Sequence, residues 1–139
     1  MRCLARREHT RTELRAKLLP HVQDGEDVDA VLDELEKRSW LSDERAASQI
    51  VHAKRSRFGA QRITHELRRK GIAEELISNA LPVLKETELK AVREVWQSKF
   101  GTLPKNNNEK AKQVRFLQSR GFAPDVIFNL LRLTASSED

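Results

Sequence analysis

The stretch Glu66-Leu67-Arg68-Arg69-Lys70-Gly71 occurs again, at an offset of 50 residues, as Phe116-Leu117-Gln118-Ser119-Arg120-Gly121. In each copy a leucine is followed by three polar residues and then by a glycine, which is typical of the end of a helix. Upstream, Glu13-Leu14-Arg15-Ala16-Lys17 matches the first copy at an offset of 53 residues. The offset of 50 also aligns two apolar positions further on, Ile77 with Ile127 and Leu81 with Leu131. This joint agreement favours tandem repeats over the alternative, which is coincidence among short helices of similar composition.

Apolar residues recur at helical spacing along the whole chain, and no segment of useful length alternates with period two. Thr10 and Glu13 fit a capping box at a helix start, and Asn108 and Pro124 fit the starts of the last two helices. One helix is expected over about 73–84, with Pro82 near its end as a breaker or a kink, and another over 88–100. We therefore expect an all-α fold of eight or nine short helices.

The repeats divide the chain into three units of three helices each. We place the first at residues 1–39, with its opening helix truncated, and the second at 40–85, with a basic middle helix. The third covers 86–135, and residues 136–139 are expected to be a frayed tail. Because each unit buries its apolar face partly against its neighbour, this organisation predicts an elongated, curved body with a small core in each unit.

Composition excludes several classes of protein. The 139 residues include 26 Lys and Arg against 21 Asp and Glu, a net charge of +5. The single cysteine, Cys3, cannot form an internal disulfide. No apolar run exceeds three residues, whereas a membrane span needs about 20, and the N-terminus does not fit a secretory signal. We expect a soluble, cytoplasmic protein.

Charge is arranged in blocks of alternating sign. Residues 24–45 carry a net charge of −6, and residues 54–70 carry +6. One interpretation is that these blocks are solvated helix faces, because long polar side chains favour helices. The other is a basic surface for a polyanion beside an acidic element that does not touch it.

No arrangement of residues supports catalysis, so we do not expect an enzyme. The spacing of a phosphate-binding loop is absent. His65-Glu66 begins like a zinc-protease helix, but the residue four positions after His65 is Arg69. We expect neither a cofactor nor a metal, and we interpret Trp40 and Trp96 as packing residues rather than stacking platforms.

Four stretches, taken in their order and spacing, resemble the RecX family, the bacterial regulatory proteins that modulate the RecA recombinase. They are LARREHTRTELRAKL (residues 4–18), WLSDER (40–45), RFGAQRITHELRRKGI (57–72) and KQVRFLQSRGF (112–122). The resemblance runs from about Leu4 to Leu131. Three positions depart from the family pattern: Ala46 stands where Phe is usual, Arg57 where Gly is common, and Ala60 where Pro is common.

The resemblance implies three tandem three-helix repeats, in agreement with the repeats above. It also implies binding in the groove of RecA filaments on single-stranded DNA, where the protein blocks filament extension or favours disassembly. That binding suppresses strand exchange, ATP hydrolysis and cleavage of the SOS repressor. Family members also bind single- or double-stranded DNA weakly, and we expect a monomer.

Basic residues of the second and third units are the candidates for contact with RecA or DNA. They are Arg55, Arg57, Arg62, Arg68, Arg69, Lys70, Lys112, Arg115 and Arg120. An alternative function is that of a basic helical DNA-binding protein that does not depend on RecA, since a short helix followed by a basic helix is similar to helix-turn-helix motifs.

Overall fold

A computed structural model of the chain describes residues 7–138, which contain seven α-helices and one short 3-10 helix, Leu19–His21. The α-helices are α1 (Arg11–Leu18), α2 (Val28–Lys37), α3 (Asp43–Lys54), α4 (Ala60–Arg69), α5 (Glu74–Lys99), α6 (Asn107–Ser119) and α7 (Pro124–Glu138). No strand occurs in this range, which confirms the all-α prediction. Cys3 lies outside the described residues.

The helices enclose three separate cores in chain order. Helices α1 and α2 pack on each other around Leu32, which is fully buried. Helices α3, α4 and the first half of α5 surround Leu67, and the second half of α5 packs with α6 and α7 around Phe122. The chain exposes 9545 Å², against about 7,400 Å² for a compact monomer of this mass. Such an excess is expected of a row of small cores, and it supports the predicted repeat architecture.

Helix α5 is continuous through Pro82, so the predicted break there is wrong and two expected helices are one. Its 26 residues span about 39 Å. Pro82 cannot donate a hydrogen bond to the carbonyl of Ser78, but both residues are exposed, so water can satisfy that carbonyl. Burial of Ile77 and Leu84 on either side of Pro82 holds the helix together. Helix α5 is therefore shared by the second and third cores.

Helices α4 and α6 end in the same way. The N–H of Ile72 donates to the Leu67 carbonyl (3.0 Å), and the N–H of Phe122 donates to the Leu117 carbonyl (3.2 Å). Gly71 and Gly121 precede these donors with φ of 83° and 92°, values that favour glycine. The repeated glycine stops predicted from the sequence are thus confirmed in atomic detail.

Other local predictions have mixed outcomes. The capping box at Thr10 is present, and α7 begins at Pro124 as predicted. Asn106, rather than Asn108, caps α6, because the polar loop ends two residues earlier than expected. Helix α7 extends to Glu138, and fraying of the tail stays a prediction.

The two tryptophans occupy opposite environments. Trp96 is buried, as expected, and its indole N–H donates to Gln113 Oε1 at 2.8 Å. Trp40 is 69% exposed, with the Arg38 guanidinium 5.5 Å from its ring centroid, so its interpretation as a packing residue is wrong. It follows Ser39, whose positive φ of 62° turns the chain out of α2 and directs Leu41 into the first core.

The described helices include none that is long and apolar enough to cross a bilayer. Within residues 7–138, no group of three or more His, Cys, Asp or Glu side chains is placed to hold a metal ion.

Candidate functional site: a basic cluster where two units meet

Helices α4 and α6 meet end to end at the junction of the second and third units. The backbone N–H of Gly59 donates to the Arg120 carbonyl (2.8 Å), and that of Gln61 donates to the Gly121 carbonyl (3.2 Å). The first N–H groups and the last carbonyls of a helix lack partners within the helix. Here the two ends satisfy each other, which explains why α4 starts without a side-chain cap of its own.

The same relation joins the first unit to the second. Thr10, the N-cap of α1, is fully buried, and its hydroxyl donates to the Lys70 carbonyl at the end of α4 (2.7 Å). The N-terminus of α1 therefore contacts the C-terminus of α4, and the N-terminus of α4 contacts the C-terminus of α6. The basic middle helices predicted from the sequence are thus joined in series by contacts between their ends.

A buried carboxylate completes the start of α4. Glu88, on α5, is 8% exposed, and its Oε2 accepts the Ala60 N–H at 2.8 Å. A negative charge at a helix N-terminus is also favourable for the helix dipole. Glu88 thus fixes α4 against the shared helix.

Replacing Glu88 by alanine is expected to lower the free energy of unfolding by about 1–3 kcal/mol, because the buried Ala60 N–H loses its acceptor. Glu88→Gln is the matched control, since it keeps an acceptor oxygen and should cost less than the alanine variant. Urea titration followed by circular dichroism measures both. Equal stability of Glu88→Ala and the parent protein would show that this hydrogen bond contributes nothing.

Cationic side chains gather around two phenylalanine rings beside this junction. The guanidinium of Arg62 lies 4.3 Å from the Phe58 centroid, that of Arg57 at 5.8 Å and that of Arg120 at 5.6 Å. Arg120 is also 5.2 Å from Phe116. Contacts of this kind hold a cation in place without neutralising it.

A lysine and a second aromatic contact complete the arrangement. Lys99 Nζ lies 5.2 Å from the Phe116 centroid, and Phe116 is itself fixed by an edge-to-face contact with Phe100 at 5.6 Å. We call Arg57, Arg62, Lys99 and Arg120, with the rings of Phe58 and Phe116, the junction cluster. Among the described residues, none of its four cations forms an ion pair with a carboxylate.

Four other predicted residues lie outside this cluster and are likewise without an ion pair in the described part of the chain. Arg55 is half-buried at the end of α3. Arg69 is exposed at the end of α4, about 10 Å along the axis from Arg62. Lys112 and Arg115 are exposed on α6, about 12 and 8 Å along the axis from Arg120.

The remaining two predicted residues are engaged within the protein. Arg68 forms a two-pronged ion pair with Glu74, with N···O distances of 2.9 and 3.1 Å. Lys70 Nζ lies 3.7 Å from Glu13 Oε2 and 3.5 Å from Glu66 Oε2. Burial of the Glu66 carboxylate acts to raise its pKa, but the hydrogen bond and charge of Lys54 and the charge of Lys70 outweigh it, so the pKa lies below its usual value. Lys70 therefore helps to hold the first unit on the second.

Reversal of Lys70 is expected to destabilise the protein, whereas reversal of its neighbour Arg69 is not. Lys70→Glu would place a third carboxylate between Glu13 and Glu66, at a cost of about 2–3 kcal/mol. Arg69→Glu changes an exposed side chain and should cost less than about 1 kcal/mol. Thermal melts of the two variants measure the difference. Similar melting temperatures would contradict the assigned role of Lys70.

Sequence reasoning missed several members of the site. Lys99 and the two rings, Phe58 and Phe116, were not among the candidates, and neither was Glu88. Phe58 had one available signal, since arginines stand on both sides of it within four positions. The pairing of Phe116 with Lys99 depends on the packing of α5 against α6, which no local pattern reveals.

Two family models and several known proteins match the sequence of this chain. Residues 42–81 match a family model described as RecX, second three-helix domain, and residues 86–131 match RecX, third three-helix domain. A protein named regulatory protein RecX from Leptothrix cholodnii is 44% identical over 139 residues, which is all of this chain and 88% of the relative. One of the same name from Ralstonia pickettii is 41% identical over 128 residues, covering 92% of this chain and 80% of the relative.

Two solved structures share the fold. A crystal structure of regulatory protein RecX superposes with a TM-score of 0.77 at 22% identity, covering 91% of this chain and 66% of the other. RecX from Lactobacillus salivarius superposes with a TM-score of 0.76 at 19% identity, covering 94% and 88%. The sequence matches establish the family of the chain, and the two solved structures establish its fold. The chain belongs to the RecX family of regulatory, non-enzymatic proteins.

Proposed function

We propose that this protein binds RecA filaments on single-stranded DNA and inhibits RecA activity: filament extension, ATP hydrolysis, strand exchange and SOS co-protease activity. Membership in a family of regulatory proteins supports a regulatory role, and the resemblance of the sequence names RecA as the partner. The observation that carries the proposal is the series of middle helices α1, α4 and α6 joined at their ends. Several cations on α4 and α6 form no ion pair with any other residue that the structure describes.

A filament groove is a long surface that repeats, and a row of joined units can contact more than one filament subunit. Several weak contacts add through effective concentration when their spacing is fixed. The end-to-end hydrogen bonds at Gly59 and Thr10 supply that fixed spacing. Charge complementarity then guides encounter and sets register more than it adds affinity.

Available cations are the proposed contacts. They are Arg55, Arg57, Arg62, Arg69, Lys112, Arg115 and Arg120. Arg68 and Lys70 were included in the sequence-based set, and their ion pairs make them weaker candidates for the same role. The contact surface we propose is therefore centred on the junction cluster and extends along α6.

The test is DNA-dependent ATP hydrolysis by RecA from the same organism, with this protein added at a small fraction of the RecA concentration. We expect a progressive fall in hydrolysis. The variant Arg57→Glu/Arg69→Glu/Arg115→Glu should lose at least roughly tenfold in potency with unchanged helicity. The control Lys37→Glu/Lys85→Glu/Arg93→Glu changes the net charge equally at exposed positions outside the surface and should inhibit normally. Hydrolysis that persists at equimolar protein would contradict the proposal.

Direct DNA binding without RecA is the second candidate function, and the same cations favour it. Contacts to phosphates weaken steeply as salt concentration rises. Binding of a bare oligonucleotide that is strong, steeply salt-dependent and unaffected by RecA would support this candidate instead.

A further inference from the structure

An open groove of about 480 Å³ lies at the junction cluster, between α5, α6 and the segment that follows α3. Its floor is apolar, formed by Val95 and Phe116. Three cations stand around it: Arg57, Lys99 and Arg120. One carboxylate, that of Glu94, belongs to its wall. The groove thus combines an apolar floor, a cationic rim and a single acidic group.

The three cations are held in position, and none of them is neutralised by a carboxylate within residues 7–138. Arg120 lies between two rings, 5.6 Å from the Phe58 centroid and 5.2 Å from the Phe116 centroid. Lys99 rests on the second ring at 5.2 Å and Arg57 on the first at 5.8 Å. Because none of the three is paired with a carboxylate of the described residues, their N–H groups remain available to a carboxylate of a bound molecule. The cations of the rim can therefore form ion pairs with acidic groups of a bound molecule.

The features of the groove fit a peptide better than a nucleic-acid strand. Bases bind single-strand proteins by stacking on aromatic faces, but cations already lie over Phe58 and Phe116. A strand with a charge on every nucleotide would also meet the Glu94 carboxylate. A peptide can place an apolar side chain on the Val95 floor and keep its acidic residues away from Glu94.

We propose that this groove binds an acidic protein segment that carries an apolar side chain. The carboxylates of the segment pair with Arg57, Lys99 and Arg120, and its apolar side chain packs on Val95 and Phe116. The inference deepens the proposed function and rests on it only for the identity of the protein that supplies the segment. Since the groove is built from the second and third units together, an occupant would bridge both.

Fluorescence anisotropy at low ionic strength tests the groove without RecA. The probe is a fluorescein-labelled peptide of glutamates with one central phenylalanine. The comparison probes are the same peptide with serine for phenylalanine and an oligothymidylate of equal charge. We expect the phenylalanine peptide to bind more tightly than the serine peptide. The variant Arg57→Glu/Lys99→Glu should lower the affinity for the phenylalanine peptide roughly tenfold or more. Both substituted residues are exposed, so helicity should be kept.

Two further variants distinguish binding in the groove from a general effect of net charge. Lys85→Glu/Arg93→Glu makes the same change in net charge on α5 at exposed residues that do not line the groove, and it should bind the peptide normally. Ser98→Leu fills an exposed position of the groove without changing charge. It should lower the affinity for the phenylalanine peptide more than the affinity for the serine peptide.

Two outcomes would overturn the inference. One is equal binding of the phenylalanine and serine peptides, unchanged by Arg57→Glu/Lys99→Glu. The other is loss of oligothymidylate binding in that variant while the peptide is unaffected, which would make the groove a nucleic-acid site. Peptide binding by a protein that leaves RecA hydrolysis unchanged would overturn the proposed function alone. Inhibition of RecA by a protein that binds neither peptide would overturn the groove assignment alone.

Discussion

Gly121→Ala is expected to lower the free energy of unfolding by about 2–5 kcal/mol and to separate the second unit from the third. Gly121 has a φ of 92°, and an added Cβ would lie 2.3 Å from Arg62 Cβ and 2.7 Å from the Arg62 backbone nitrogen. The variant therefore combines a left-handed backbone with a collision at the junction. Because Arg62 and Arg120 belong to the junction cluster, the proposed inhibition of RecA should fall with stability.

Two other glycines separate these two causes. Gly59→Ala adds the collision alone, since its φ is −81° and its Cβ would lie 2.3 Å from the Gly121 carbonyl oxygen. Gly101→Ala adds the backbone cost alone, because φ is 72° and the nearest atom, the Gln97 carbonyl oxygen, is 3.4 Å away. Urea titrations should rank Gly121→Ala as the least stable of the three. Equal losses for Gly121→Ala and Gly101→Ala would show that the units do not meet at Gly121.

Leu67→Ala is expected to cost about 2–5 kcal/mol, because it leaves a cavity in the second core. Leu67 is fully buried, and the core around it is small, so few neighbours can move in to fill the space. The same residue accepts the Ile72 N–H that ends α4. Because the Leu67 side chain packs α4 into the second core, its loss should loosen the helix that carries Arg62 and Arg69.

Val83→Ala is the matched surface variant, since Val83 is 41% exposed on α5. It should change the free energy of unfolding by about 0.5 kcal/mol or less. Thermal melts of the two variants make the comparison. A melting curve of Leu67→Ala that matches that of the parent protein would show that Leu67 does not belong to the core.

Local features of the fold were predictable because their causes are local. The capping box at Thr10 involves residues three positions apart, and the glycine stops at Gly71 and Gly121 follow from backbone conformation alone. Pro82 shows the limit of this reasoning. Proline disfavours a helix by its own geometry, yet packing of α5 against two cores outweighs that preference. Such packing is not visible in a window of neighbouring residues.

The site was only partly predictable for a related reason. Charge counts identify Arg69 and Lys70 as equivalent, but Lys70 is paired with Glu13 and Glu66, and Arg69 is exposed and without an ion pair in the described residues. Glu13 is 57 positions from Lys70 along the chain, so the pairing depends on how units stack. The convergence of Arg57 and Arg120 on one ring has the same origin. A sequence shows which cations exist, and the stacking of the units determines which remain available.

We propose that the partner of this protein is a RecA filament rather than DNA alone. The most direct measurement is fluorescence anisotropy of this protein, labelled at an exposed position, with RecA filaments on oligothymidylate and with the oligonucleotide alone at the same salt concentration. We expect binding to the filament at least roughly tenfold tighter than to the bare oligonucleotide, with a weaker dependence on salt. Equal affinity for the two, or binding only to the bare oligonucleotide, would contradict it.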